Sequence, residues 1–395
     1  MMVGEVGVRI LFTFAGGSGH ADPLVPIAVA ARAVGHSTAF AGRRSGLTLA
    51  ETLGFTIFAD GDATPGADRD ASPLLPLDME REYAVLRDYY AGNEARHRAA
   101  AIVDLIGSWD PDLIVCDEVD FGAAIAAERC GLPQATVFVT ASGTFIRPDV
   151  VTEPLNALRA AHGLRSEPEL PLSSRYLAIS PFPPSLRDPT SPLPANAVSI
   201  RHQPVVPPDG DGSGPGRVIH PARPTVYVTL GTVFNTESGD LFERVLAGLR
   251  ERPIHVVVTV GRDVDPARFG RQPENLHIER YIPQSALLPH CDLVINHGGS
   301  GSVVGALAHG LPMVVIPMGA DQSLNAARCE QLGVGVALDA VDATPETIGG
   351  AVADVLQEPS HREAAEALRD EIASLPGPET VVPLLERLEV ADTGT

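Results

Sequence analysis

The chain has 395 residues, 44% of them hydrophobic and 20% charged, a composition that fits an ordinary folded protein and a length that favours two domains over one compact core. Its formal charge of −21 excludes the basic footprint of a nucleic-acid or anionic-membrane binder. It leaves room for a small anionic ligand held by helix ends and hydrogen-bond donors.

Residues 8–14 read as a first strand. The run is too short for a signal peptide and leads straight into Gly16-Gly17-Ser18-Gly19-His20. Residues 23–34 have helical periodicity and stop at Gly35, and 37–41 form a second strand. Short apolar runs follow at 112–116, 135–139 and 176–179. The region 204–224 is rich in proline and carries an Asp-Gly-Asp-Gly-Ser-Gly tract, so it reads as a linker, centred on 206–222. Beyond it, strands are predicted at 225–230, 254–260, 276–279, 293–296, 313–317 and 334–338. Helices are predicted at 241–252, 303–309, 323–332, 345–358 and 360–375.

Strand-helix alternation with continuously apolar strands predicts an α/β fold of doubly wound parallel sheets. Two units echo each other. Asp112-Leu-Ile-Val-Cys116, a helix and Gly131-Leu-Pro133 match Asp292-Leu-Val-Ile-Asn296, a helix and Gly310-Leu-Pro312. Two Rossmann-like halves follow, with ligands expected at the carboxyl ends of the strands, across a cleft. Cys116, Cys130, Cys291 and Cys329 form no C-x-x-C pair and read as free thiols of a reducing, cytoplasmic setting. No run approaches the ~18–20 apolar residues of a membrane span.

The most informative stretch is Asn296-His297-Gly298-Gly299-Ser300-Gly301-Ser302, between a strand and a helix. Such a turn leaves backbone N–H groups free at a positive dipole end, a ready diphosphate site, with His297, Ser300 and Ser302 adding donors. Gly231-Thr232 ends another strand and suits the same anion. Tyr281-Ile282-Pro283-Gln284 offers an aromatic face for a base and an amide for a sugar hydroxyl. Asp321-Gln322 suits vicinal hydroxyls, although Asp321 also suits a helix cap.

In the first half, His20 lies after the first strand, where a neutral imidazole can accept a proton. Asp117 is the natural carboxylate partner, with Glu118 and Asp22 as weaker ones; His36 and His97 have no such neighbours. Neither glycine loop completes the G-x-G-x-x-G fingerprint of a dehydrogenase, and neither carries the lysine of a P-loop.

Together these residues resemble the family 1 glycosyltransferases of GT-B architecture, especially bacterial enzymes that glycosylate natural products such as macrolide antibiotics. The resemblance runs over nearly the whole chain and is strongest from Tyr281 to Gly335. There Tyr281-Ile-Pro-Gln284, His297-Gly-Gly-Ser-Gly-Ser302, Gly310-Leu-Pro312 and Ala320-Asp-Gln-Ser-Leu-Asn325 fall in order. At the front, His20-Ala-Asp-Pro-Leu24 looks like the family's H-x-x-P-L segment.

The resemblance implies two facing Rossmann-like domains. Residues 1–205, with a closing helix at about 378–395, would bind the acceptor; 223–377 would bind the donor. It implies an inverting, metal-independent transfer with no cofactor beyond a nucleotide-sugar co-substrate. His20 would be the base and Asp117 its support. Thr232, His297, Gly299, Ser300, Gly301 and Ser302 would hold the diphosphate. Tyr281, Ile282 and Gln284 would meet base and ribose, and Asp321 and Gln322 the donor sugar.

Where ribose-nucleotide enzymes of the family often carry a glutamate, this chain has Gly305, which implies a dTDP-deoxysugar over a UDP-sugar. The acceptor, a small and mostly apolar natural product, would lie among segments 60–93 and 141–175, near Tyr83, Tyr90 and Phe145. The chain would be a monomer or homodimer. A nucleotide-sugar epimerase of similar fold and an inactive glycosyltransferase partner protein are the alternatives.

Overall fold

The computed structural model describes residues 7–60, 73–168, 175–206, 223–232, 234–262 and 264–388. Most of the predicted linker, 206–222, lies outside the described residues.

Two wholly parallel sheets organise the molecule. The first contains β1 (Arg9–Thr13), β2 (Ser37–Arg43), β3 (Thr56–Asp60), β4 (Leu113–Asp117), β5 (Gln134–Val137), β6 (Leu177–Ser180) and β7 (Ala197–Ser199), in the order 3-2-1-4-5-6-7. The second contains β8 (Thr225–Thr229), β9 (His255–Thr259), β10 (Leu276–Glu279), β11 (Leu293–Asn296), β12 (Met313–Val315) and β13 (Gly335–Ala337), in the order 10-9-8-11-12-13. The central strands β4, β5, β6, β8, β9, β11 and β12 are buried along their whole length, as their unbroken apolar runs require. Along β1, Ile10 and Phe12 enter one core and Leu11 the opposite one. Along β8, Val226 and Val228 face one core and Tyr227 the other.

The internal echo has a physical basis. Asp112 precedes β4 and its carboxylate accepts from Arg9 N at 2.7 Å, fixing the start of β1. Asp292 precedes β11 and accepts from Thr225 N at 2.8 Å, fixing the start of β8. The two Gly-Leu-Pro stops also match. Gly131 and Gly310 have φ of 70° and 67°, a left-handed geometry that suits glycine after a helix. Ile114 N and Val294 N then each donate to the carbonyl of the following proline, Pro133 and Pro312, at 3.1 Å.

Sequence periodicity missed β3 and β7, two short edge strands with partly exposed side chains. It also missed the long helical run across 79–109, which opens as an α-helix at Met79–Ala84, continues as a π-helix at Val85–Glu94 and ends as an α-helix at Ala95–Trp109. The wide π turns break the 3.6-residue spacing by which an amphipathic helix is recognised. The helix predicted at 303–309 begins earlier, at Ser300–Leu307.

Near the C-terminus a short helical segment, Pro378–Val381 and Val382–Leu385, returns to the first domain. Val381, Val382 and Leu385 pack in the same core as Ile10, Phe12 and Ile27. His36, expected to lack an acidic neighbour, in fact has one here: its Nε2 lies 3.0 Å from Glu386 Oε1, while its Nδ1 accepts from Val8 N at 3.1 Å. The long-range return of the chain supplies a partner that local sequence does not reveal. Among the described residues no helix is long and apolar enough to cross a membrane.

Because Leu385 is only 1% exposed within the first-domain core, Leu385→Ala is expected to destabilise that domain by about 2–4 kcal/mol. Urea unfolding is the check; a midpoint equal to wild type would show that this segment does not complete the core.

Candidate active site

In open α/β sheets the ligand crevice lies where strand order reverses, outside the carboxyl ends of the strands. The reversals here fall between β1 and β4 and between β8 and β11. His20 follows β1 and Asp117 ends β4; Gly231 and Thr232 follow β8 and His297 follows β11. The two sheets therefore deliver all of these residues to their crevices.

His20 sits in a short helix, Ser18–Ala21, that leads through the turn Asp22–Leu24 into the helix Val25–Ala33. Its imidazole is 27% exposed, and Nδ1 lies 3.1 Å from Asp117 Oδ2. Asp117 is itself buried and held by backbone donors. Its Oδ2 also accepts from Ala15 N at 3.0 Å, and its Oδ1 accepts from Val119 N and Asp120 N, each at 2.7 Å. A carboxylate saturated in this way is fixed in place and accepts a hydrogen bond from Nδ1–H, leaving Nε2 as the basic atom. Gly16 packs against the imidazole; a Cβ there would come within 2.4 Å of His20 Cδ2. Burial disfavours the imidazolium, but the charge and hydrogen bond of Asp117, helped by Asp321 and Glu118, hold the pKa above 6.5. Glu118, the weaker candidate partner, instead accepts from the backbone of Thr140 and from Val139 N at 2.7 Å. Burial raises its pKa to about 7.

The glycine turn of the second domain is built around His297. The ring is 8% exposed and lies between two glycines: a Cβ on Gly231 would approach it to 2.6 Å, and one on Gly299 to 2.4 Å. Gly231 also has φ of 80°. His297 Nδ1 has no partner among the described residues, and burial lowers the ring's pKa to about 4, so it is neutral at pH 7. Asn296 Oδ1 accepts from Gly298 N at 2.7 Å and shapes the turn. Gly299 is the residue before the helix Ser300–Leu307, whose first intrahelical bond is Val303 N to Gly299 O. The amides of Ser300, Gly301 and Ser302 are thus at a helix start.

Two residues expected to meet ligand are engaged elsewhere. The Ser300 hydroxyl donates to Asp321 Oδ2 at 2.7 Å and accepts from Ala141 N of the first domain at 2.8 Å, so it is not a free phosphate donor. Gln322 is 2% exposed, and its carbonyl oxygen accepts from Met318 N at 2.8 Å and Gly319 N at 3.2 Å. It shapes the turn before Asp321 instead of opening toward the cleft with that oxygen. Asp321 makes no helix-capping bond; its Oδ2 takes Ser300 Oγ and Asn325 Nδ2. Burial raises its pKa, partly offset by these two bonds.

The domains meet at the site. Ser18 Oγ is 3.5 Å from Thr232 Oγ1, and the charge of Asp321 bears on His20. Tyr90 stacks beside His20 with ring centroids 6.3 Å apart. Tyr83 and Phe145 stack at 6.0 Å, with the Arg147 guanidinium 4.9 Å from the Tyr83 ring centre. At the far end, Tyr281 is 43% exposed beneath Arg262, Ile282 is buried, and Gln284 Oε1 lies 3.5 Å from where a Gly305 Cβ would stand. Phe234 lies against the His297 ring, and Glu82 and Asn325 bond the turn at Ala320 and Asp321; sequence reasoning gave these three no role. Asn325 had a visible signal, since it closes the segment Ala320–Asn325; Glu82 had none. Among the described residues no group of three or more His, Cys, Asp or Glu is arranged to hold a metal ion.

Comparison with known proteins bears on the family and the fold. A family model described as "Erythromycin biosynthesis protein CIII-like, C-terminal domain" matches residues 243–388. Tylactone mycaminosyltransferase of Streptomyces fradiae is 30% identical, over 98% of this chain and 93% of its own. 10-Deoxymethynolide desosaminyltransferase of Streptomyces venezuelae is 30% identical, over 96% of this chain and 97% of its own. The crystal structure of the glycosyltransferase SnogD from Streptomyces nogalater superposes with a TM-score of 0.74 at 25% identity, covering 97% of this chain and 99% of that one.

The two site histidines are expected to titrate apart. In a histidine NMR titration His297 should protonate near 4 and His20 above 6.5. Overlapping titrations would contradict the environments described above.

Proposed function

The chain belongs to the bacterial glycosyltransferases of macrolide and related antibiotic biosynthesis and has their GT-B fold, and from that premise we propose an inverting, metal-independent transfer from a nucleotide-diphospho-sugar with His20 as base. The observation that carries the proposal is the His20–Asp117 pair at 3.1 Å, opening on a cleft where Asp321 of the other domain is near enough to influence its charge.

The chemistry follows from the groups available. Asp117 holds the proton on Nδ1, so Nε2 accepts the proton of an acceptor hydroxyl. That oxygen forms a bond to the anomeric carbon as the bond from this carbon to the diphosphate breaks. The electron pair leaves with the diphosphate oxygen, and the sugar inverts. The growing negative charge falls to the helix-start amides of Ser300, Gly301 and Ser302, to the hydroxyls of Thr232 and Ser302, and to His297. His297 acts as a neutral N–H donor, because burial lowers its pKa to about 4. Asp321 keeps one carboxylate oxygen for the sugar. Charge neutralisation by these donors asks for no metal and no further cofactor.

The dTDP preference rests on Gly305. A Cβ there would stand 3.5 Å from Gln284 Oε1 and Leu288 Cδ1, so no acidic side chain borders Gln284 from that position to accept from a ribose 2′-hydroxyl. The acceptor is a small and largely apolar molecule with a hydroxyl, received by Tyr83, Phe145 and Tyr90. An exchange equilibrium on free nucleotide-sugar has no comparable support.

His20→Ala should lower kcat by about 10²–10⁴ while dTDP still binds, measured by mass-spectrometric turnover and calorimetry; retained transfer would remove His20 from its role. Because the base must be neutral, the rate should fall as pH drops through a pKa above 6.5. Asp117→Asn should move that inflection to lower pH as well as slow the reaction, and an unmoved inflection would assign it to another group. In competition at fixed acceptor, dTDP-glucose should outcompete UDP-glucose, and the reverse order would overturn the donor assignment.

A further inference from the structure

The turn that carries Asp321 is strained and is held from the opposite domain. Ala320 has φ of 52°, a left-handed conformation that a residue with a Cβ seldom adopts without support. Its N–H donates across the cleft to Glu82 Oε2 at 2.9 Å. Glu82 is well covered, with 14% of its side chain exposed. Gly319, one residue earlier, is squeezed between Phe234 and the same carboxylate: a Cβ there would lie 2.9 Å from the ring and 3.4 Å from Glu82 Oε2.

Further bonds from the first domain converge on the same turn. Ser323 Oγ meets Met79 Sδ at 3.2 Å. Asn325 Oδ1 accepts from Ser142 N at 3.1 Å, while its Nδ2 reaches Gly298 O, Ser300 Oγ and Asp321 Oδ2 within 3.0 Å. Ser300 Oγ in turn accepts from Ala141 N. The Asp321 carboxylate is therefore oriented by two side chains that are each bonded to the backbone of the first domain, and the backbone just before it, at Ala320, is pinned by Glu82.

Met79 and Glu82 share the short helix Met79–Ala84 with Tyr83, whose ring stacks on Phe145. The helix is fixed at its start by Asp78, which accepts from Glu80 N at 3.0 Å and Arg81 N at 3.3 Å. Neighbouring residues of one helix thus touch the proposed acceptor pocket and the proposed sugar-binding turn.

We infer that Glu82 is a positioning residue for the donor sugar: by holding the Ala320 amide from the acceptor side, it sets the Asp321 turn only when the two domains are docked. This deepens the proposed function, because it rests on Asp321 meeting the donor sugar. It makes the sugar site a composite of both domains, whereas the diphosphate donors His297 and the amides after Gly299 belong to the second domain alone. Loss of Glu82 should therefore weaken recognition of the sugar and spare recognition of the nucleotide.

The experiment compares wild type with Glu82→Ala, Glu82→Gln and Asp321→Asn in the full chain. Hydrogen exchange of the Ala320 amide should be faster by about tenfold or more in Glu82→Ala and near wild type in Glu82→Gln, whose carbonyl still accepts. The KM for dTDP-glucose should rise by about tenfold in Glu82→Ala with the Kd of dTDP within about twofold of wild type, and glutamine should restore it. Unchanged Ala320 exchange in Glu82→Ala overturns the inference, and so does an equal loss of dTDP and dTDP-glucose. If Asp321→Asn raises the dTDP-glucose KM and Glu82→Ala does not, the positioning role alone fails. If Asp321→Asn leaves that KM unchanged, the assignment of Asp321 to the sugar fails, and the exchange measurement still decides whether Glu82 holds the turn.

Discussion

The site depends on the carboxylate of Asp117. It stands at the end of β4, beside the switch in strand order, and accepts from Ala15, Val119 and Asp120 as well as from His20. One buried group therefore joins the loop after β1, the loop after β4 and the imidazole. Its own backbone donors leave it no freedom to rotate away, so the histidine ring inherits a fixed tautomer and orientation. The surrounding burial raises the stakes of this arrangement, since an acid in a low-dielectric setting is tolerable only when its lone pairs are met.

The second domain solves a different problem. In the proposed reaction it must gather negative charge, and yet the protein as a whole is acidic. It does so with local dipoles: a helix start, hydroxyls and an uncharged imidazole sandwiched between Gly231 and Gly299. A neutral ring costs less to bury than a cation. This contrast between the two histidines comes from their neighbours alone, a buried acid for one and two glycine backbones for the other.

Much of this was legible in the sequence because it is local. Continuous apolar strands, Gly-Leu-Pro stops and glycine turns each declare themselves within a few residues, and the strands at 276–279 and 293–296 fall where periodicity put them. The His20 and His297 loops were legible for the same reason. What was illegible depends on contacts made at long range. Ser300 reads as a phosphate donor until Ala141 and Asp321 are seen to occupy its hydroxyl. Gln322 reads as a sugar ligand until its carbonyl is found on Met318 and Gly319. Glu82 is one acid among several on a polar helix, and only the approach of Ala320 distinguishes it. The edge strands β3 and β7 escaped because half-exposed strands lack a continuous apolar run.

The π-helix at Val85–Glu94 carries a consequence for how this scaffold diversifies. A widened turn is what one surplus residue in a helix looks like, and removing that residue would restore ordinary winding. Each residue of an α-helix turns the chain by roughly 100°. Deletion at this point would thus swing Tyr83 and Glu82 around the axis while leaving Arg98, anchored further on by Asp120 at 2.6 Å, in place. A change of length, with no change of side-chain chemistry, would then redraw the wall of the proposed acceptor pocket in a single evolutionary step.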